Sequence, residues 1–284
     1  MKASNNFLLF LKGMLMGICD LIPGISGGTV AFITGIYTRL INAVKSFSFS
    51  LFYDFFKNKG KFKEDLRNLD LGFLLILILG IFTSIILGAR IIHFLLENYY
   101  SFTLSFFIGL IIASSKIIFD NIKKHNFKNI FFGIFGILTG ISLAFIIPVN
   151  VTPSFSYVFF GGFIAISAMF LPGISGAFIL LIMSLYEFMI DVIGNIRENF
   201  FYAFIFLLGA VLGAFFISRL ISFLFKKDKC KTLYFLLGLV IGALSIPIKK
   251  IIAITNFTLY NSFTMIILFI LGVVLVVVVN SYGK

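Results

Sequence analysis

Long apolar runs separated by short polar segments dominate this chain. Six runs are long enough to cross a bilayer, at roughly 71–92, 103–119, 129–149, 200–224, 232–252 and 263–280, because a spanning helix needs about 20 apolar residues. Two further apolar regions, 5–46 and 155–194, are interrupted by nearly the same words. The first reads Pro23-Gly24-Ile25-Ser26-Gly27-Gly28 and the second Pro172-Gly173-Ile174-Ser175-Gly176-Ala177. Each interruption leaves about 16 apolar residues on either side, short for a full span. The pattern predicts two re-entrant hairpins, each made of two half-depth helices that meet at a Gly-rich tip.

The similarity extends past these words. At an offset of 149, Ile33 matches Ile182 and Tyr37 matches Tyr186; at an offset of 129, Gly80 matches Gly209 and Arg90 matches Arg219. The second offset also aligns Thr103, Leu104, Phe106, Gly109, Leu110 and Ile112 with Thr232, Leu233, Phe235, Gly238, Leu239 and Ile241. The change of offset puts about 20 extra residues in the first half, where the charged loop Asp54–Asp70 accommodates them. The chain thus divides into two repeats, 1–150 and 151–284. The first is hairpin 5–46, loop 47–70 and helices 71–92, 103–119 and 129–149; the second is hairpin 155–194 and helices 200–224, 232–252 and 263–280.

Charge then orients the expected layout. If each hairpin enters and leaves by one face, segments 1–4, 45–70, 116–128, 225–231 and 281–284 share a side and hold 16 Lys and Arg residues. The opposite side receives four: Arg90, Arg197, Lys249 and Lys250. A single crossing per broken region would put the Lys-rich loops 57–67 and 226–231 on opposite faces. The positive-inside rule therefore predicts hairpins and cytoplasmic termini. Two complete crossings per region would give the same sidedness, and only the shortness of the segments argues against them. Three true crossings per half make the repeats inverted. Inverted repeats with interrupted helices at matching positions are the sequence signature of a secondary transporter.

Composition excludes the soluble classes. Of 284 residues, 60% are apolar and 12% charged, with a mean hydropathy of +1.12; a soluble domain carries roughly 25% charged residues. The reading is an all-α polytopic protein of the cytoplasmic membrane. A net charge of +12 belongs to topology and to anionic lipid at the cytoplasmic face, with no nucleic-acid partner implied. Cys19 and Cys230 share no metal spacing and suggest no disulfide framework. Lys12 interrupts the first apolar run and no small-residue cleavage site follows, so the N-terminus does not read as a cleaved signal peptide.

The tips carry the candidate chemistry. Irregular backbone in a bilayer persists only where protein or a polar cavity satisfies its N–H and C=O groups. Pro23 and Pro172 end the first half-helix of each hairpin, while Gly24 and Gly173 let the chain turn. Ser26 and Ser175 stand where an N-cap is wanted, just before Gly27, Gly28 and Thr29 and before Gly176. The half-helices that follow aim N-terminal amides and a positive dipole end at the midplane. Two such ends converging from opposite faces make an anion site without a catalytic side chain; the bland alternative is a pair of turns.

The stretches GICDLIPGISGGTVAFITGIY at 17–37 and LPGISGAFILLIMSLYE at 171–187 resemble the paired signatures of the PopT family of bacterial and archaeal membrane proteins, and the resemblance covers essentially the whole chain. It implies carriage of undecaprenyl phosphate, or another polyprenyl phosphate, across the cytoplasmic membrane, returning the spent lipid carrier for cell-envelope synthesis. Thr38 stands where members of that family often have an acidic residue, and Ala177 where they tend to have Ser. An anionic head suits helix ends and Arg, and a prenyl tail can stay in lipid.

Several other residues are candidates with a competing structural role. Asp20, three residues before Pro23, is an intramembrane carboxylate for proton or cation coupling, for phosphate release, or for bracing the tip amides; its repeat mate is Met169. Arg90 and Arg219 are repeat mates that either receive phosphate at each leaflet or anchor their helices by snorkelling. Thr29, Thr34, Tyr37 and Tyr186 offer hydroxyls to the site or to helix packing. Glu187 and Asp191 read as an outer-surface edge, and His93 and His125 as interfacial. An intramembrane lipid-phosphate enzyme would need a nucleophile with a base or a metal-binding carboxylate pair. The chain supplies neither, so no catalytic residue, metal or cofactor is expected. A carrier or channel for another small or lipid-linked anion is the alternative. Oligomeric state is not encoded in these patterns.

Overall fold

The computed structural model describes residues 3–21, 26–47, 57, 69–120, 122–146 and 151–282. Helices α1 (Ala3–Asp20), α2 (Gly27–Ile33) and α3 (Tyr37–Ser46) form the first broken region. They are followed by α4 (Leu71–Asn98), α5 (Tyr100–Asp120) and α6 (Phe127–Leu143). The second broken region is α7 (Phe155–Phe170), α8 (Gly176–Ile182) and α9 (Tyr186–Gly194); α10 (Phe200–Lys227), α11 (Lys229–Ala243), α12 (Ser245–Ile254) and α13 (Leu259–Tyr282) complete the order. Among the described residues there is no strand. Five helical stretches are long and apolar enough to cross a membrane: Leu71–Gly88, Tyr100–Asp120, Phe200–Lys227, Lys229–Ile254 and Leu259–Val278. The chain is a multi-pass membrane protein.

Three details depart from the sequence expectation. The run at 129–149 yields only α6, which at 17 residues is shorter than the other five stretches. The run at 232–252 is interrupted at Leu244, between α11 and α12. Pro247 has no N–H for the Ala243 carbonyl, which removes one rung of the helical ladder there. The second half of each broken region is not one half-helix but two pieces. The α8–α9 pair turns through 108°, and α2–α3 breaks at the matching place.

The physical reason for the second break is a helix end in the left-handed region. Gly35 has φ +75° and Ser184 φ +51°, 149 residues apart. Around each, the same two hydrogen bonds close the helix: Gly35 N to Phe32 O and Ile36 N to Ala31 O, then Ser184 N to Leu181 O and Leu185 N to Leu180 O. This is the Schellman arrangement, which satisfies end carbonyls and turns the chain away.

Close crossings of small residues set the packing. Helix α1 lies along α4 and α7 along α10, while α5 pairs with α13 and α6 with α11. A Cβ on Gly13 or Gly80 would meet the facing backbone of α4 or α1, and one on Gly162 or Gly209 would do the same between α7 and α10. Gly136, Gly140, Gly238 and Gly242 line the α6–α11 seam, and Gly109 and Gly272 the α5–α13 seam. Small residues let apolar helices approach closely where lipid supplies no hydrophobic drive between them. Exposed Phe82, Ile86, Phe204, Leu207 and Val274 face outward, as lipid contact requires.

The two broken regions sit differently in this frame. Residues of α2 and α3 (Phe32, Tyr37 and Ile41) belong to the main core with Phe73, Leu77, Leu104, Ile221 and Leu236. The second region packs on a small cluster of its own: Val158, Leu185, Met189 and Val192.

Candidate functional site

The two tip motifs meet through hydrogen bonds between the repeats. Gly173 N donates to Thr29 Oγ1 at 2.8 Å, a fully buried bond, and Tyr37 OH donates to Phe170 O at 2.8 Å. A Cβ on Gly28 would run into the Met169 carbonyl, so only glycine permits this approach of α2 to the end of α7. Gly173 itself has φ +91° and abuts the α11 backbone at Leu239 and Val240. Pro172, Gly173, Ile174 and Ser175 are all buried. Pro23 and Gly24 lie outside the described residues.

The first tip is capped twice. Ser26 Oγ accepts from Gly28 N at 3.1 Å, as the N-cap expectation requires. Asp20 Oδ1 accepts from Gly27 N at 2.7 Å, so a carboxylate already stands at the positive end of α2. Its other oxygen, Oδ2, is buried with no hydrogen-bond partner. The bracing role weighed for Asp20 is the one this geometry displays. Ser175 differs: its backbone is extended as an N-cap's should be, yet its side chain makes no capping bond to α8. The hydroxyl is not turned onto the α8 amides.

The paired arginines lie away from the tips. On α10, Arg219 donates to the carbonyls of Phe215 and Phe47, both at 3.0 Å, and lies over the Phe215 ring. It thereby ties the end of α3 to α10, with Lys45 adding a bond to Ser222 Oγ at 2.9 Å. Arg90 on α4 is exposed. Neither is brought near Ser26, Thr29 or Gly173 by a hydrogen bond.

Two open cavities mark the elbows of the broken regions. One of about 620 Å³ is lined by Thr152, Pro153, Leu181, Ser184, Tyr186 and Glu187. The other, about 410 Å³, is lined by Thr38, Arg39, Asn42, Ala43, Ser46 and Asp70. One lining position is shared through the repeat, Thr38 corresponding to Glu187. At the first elbow Arg39 forms a forked ion pair with Asp70, at 2.6 and 2.9 Å, and covers the Phe73 ring. That hydrogen-bonded guanidinium holds the Asp70 carboxyl below its usual range. Glu187 and Asp191 are exposed.

Two features carry little signal in the sequence. Lys12 was assigned no place, yet its Nζ donates to Thr34 O at 2.8 Å, at the far end of α2. The only signal was a lone Lys in an apolar run. The elbows were also missed, although Gly35 in the repeated Ile-x-x-x-Tyr spacing marks one of them. His125 Nδ1 and Tyr234 OH share a hydrogen bond of 2.5 Å, just before the start of α6. Among the described residues no cluster of three His, Cys, Asp or Glu is placed to hold a metal.

Comparison with known proteins adds the following. Residues 16–258 match a family model described as undecaprenyl phosphate translocase-like. A Vibrio cholerae serotype O1 protein named polyprenyl-phosphate transporter is 36% identical over 243 residues, covering 86% of this chain and 78% of that one. A Staphylococcus aureus protein of the same name is 28% identical over 253 residues, covering 82% and 83%. No solved structure matches.

Proposed function

The chain belongs to the undecaprenyl phosphate translocase-like family, and from that premise we propose that it carries a polyprenyl phosphate, undecaprenyl phosphate in particular, across the cytoplasmic membrane. It returns the spent lipid carrier for envelope synthesis, and it acts as a flippase and not as an enzyme. Both relatives are named for transport.

In this reading the chain is two inverted repeats, 1–150 and 151–284, each a re-entrant hairpin followed by three crossings. Both termini are cytoplasmic, and the Lys-rich loops rest on anionic lipid. The element lengths support it: α4 and α10 both run 28 residues at an offset of 129, and α2 and α8 both run seven at an offset of 149. The pairing supports it too. Exchanging the repeats turns the α5–α13 pair into α11–α6 and the α1–α4 pair into α7–α10, and all four pairs are present.

The phosphate head is held where the tips converge, between Ser26, Gly28 and Thr29 of one repeat and Gly173, Ser175 and Gly176 of the other. The tail leaves sideways into lipid. Asp20 occupies the Gly27 amide and sets a negative charge beside the head, which opposes tight retention and favours release. The observation that carries the proposal is the buried hydrogen bond from Gly173 N to Thr29 Oγ1, which joins the second repeated word to the residue that follows the first. Reconstitution into liposomes with labelled undecaprenyl phosphate, scoring the leaflet that holds the label, tests it. Label should equilibrate between leaflets only in vesicles with protein; equal rates in empty vesicles would reject the function.

A further inference from the structure

Helix α2 is seven residues long, about two turns, and an isolated helix that short is not stable on its own propensity. Its end N–H and C=O groups have no helical partners, and in apolar surroundings each orphan is costly. Two charged residues of α1 meet those two ends. Asp20 accepts from Gly27 N at the start of α2 and Lys12 donates to Thr34 O at its finish. The register explains how one helix supplies both. Eight residues separate Lys12 from Asp20, a rise of about 12 Å, and seven residues of α2 span about 10.5 Å. Because α2 runs back along α1, its positive end faces the carboxylate and its negative end the ammonium, as the helix dipole favours. The direct alternative, a Lys12–Asp20 ion pair, is not formed.

The second broken region keeps only an uncharged half of this arrangement: Tyr157 OH on α7 donates to Met183 O, the mate of Thr34 O, at 3.0 Å, and no side chain caps the start of α8. The repeat mates of Lys12 and Asp20 are Gly161 and Met169. Helix α8 has no side-chain cap at its start and no buried residue, whereas six of the seven residues of α2 are buried. Further along, Lys45 and Arg219 tie α3 to α10, while the mate of Lys45 is Gly194.

We propose that Lys12 and Asp20 are positioning residues, a two-ended electrostatic clamp that makes α2 the fixed wall of the substrate path and leaves α8, uncapped at its start and met only by a neutral hydroxyl at its finish, as the wall that moves. The substrate path rests on the transporter reading; the contrast between a helix held by charge at both ends and one uncapped at its start does not. Thr29 on the fixed wall accepts from Gly173 N in the buried tip that leads into the moving one.

Hydrogen–deuterium exchange on the full-length protein in lipid nanodiscs tests the clamp without a transport assay. In the wild type, amides of 27–34 should exchange at least roughly tenfold more slowly than those of 176–183. Lys12→Met should accelerate 27–34 by about tenfold and leave 229–243 unchanged, and Lys12→Arg should restore protection. The double variant Lys12→Asp, Asp20→Lys must not restore it, because each charge then faces the wrong helix end; recovery in that variant would make the pair an ordinary ion pair and overturn the clamp. Equal exchange of the two segments in the wild type would overturn it as well, even if the variants fail to fold. An intact exchange contrast in a protein that moves no labelled lipid would reject the transport reading alone.

Discussion

The two broken regions share a sequence plan and differ in how they are held. Both run from a long helix through a Pro-Gly-Ile-Ser-Gly tip to a seven-residue helix and an elbow with one residue at positive φ. The first is buried in the main core, capped by Ser26, braced by Asp20 and Lys12, and tied outward by Lys45 and Arg219. The second rests on four buried apolar residues and leaves α8 with none. Repetition of a motif therefore specifies backbone shape, while the charges around it decide how firmly that shape is held. On the clamp proposal, two helices of equal length differ in stability because charged side chains meet both ends of α2 while α8 has no cap at its start and only a neutral hydroxyl at its finish.

The largest effect should come from filling the approach between the regions. Gly28→Val puts a branched side chain against the Met169 backbone, which cannot yield as a flexible side chain would. Transport of labelled lipid should fall to background at matched expression. The mate substitution Ala177→Val should be far milder, as α8 is partly exposed and already carries a Cβ there. Comparable losses in both would erase the distinction drawn here.

The caps sharpen the comparison at a smaller scale. Ser26→Ala removes a capping bond to Gly28 N and should destabilise the protein by about 0.5–2 kcal/mol, read as a lower unfolding midpoint in detergent. Ser175→Ala removes no capping bond and should shift the midpoint by clearly less. Equal shifts would mean that Ser175 caps α8 in the folded protein.

Smallest is the elbow. Ser184 holds a left-handed conformation that glycine, present at Gly35, adopts without a Cβ penalty. Ser184→Gly should be neutral to stabilising by up to about 1 kcal/mol, and Gly35→Ala destabilising by a similar amount. A thermal-shift series on both variants gives the sign of each.

What the sequence revealed follows from what repeats and composition encode. Apolar run length gave five of the six expected membrane-length stretches, and the twin tip words gave the two breaks, since Pro and Gly act locally on the backbone. Ser26 and Thr29 were legible for the same reason. Lys12 was not, because its partner, the Thr34 carbonyl, is a backbone atom 22 residues away that exists as an acceptor only once α2 folds back on α1. The elbow at Ser184 was hidden because a serine at positive φ carries no glycine signal. Arg90 and Arg219 looked equivalent in sequence, and only packing separated a residue that ties α3 to α10 from one left exposed.

The central claim is that a phosphate head is recognised where the two tips converge, and head and tail varied separately in a competition assay address it most directly. In proteoliposomes carrying labelled undecaprenyl phosphate, shorter polyprenyl phosphates should compete, more weakly as they lose lipid partitioning, because helix-end amides in a low-dielectric setting attract the anion whatever its tail. Undecaprenol, which has the tail without the charge, should fail to compete. If the neutral alcohol competes as well as the phosphate, the tips do not form an anion site and the account is wrong.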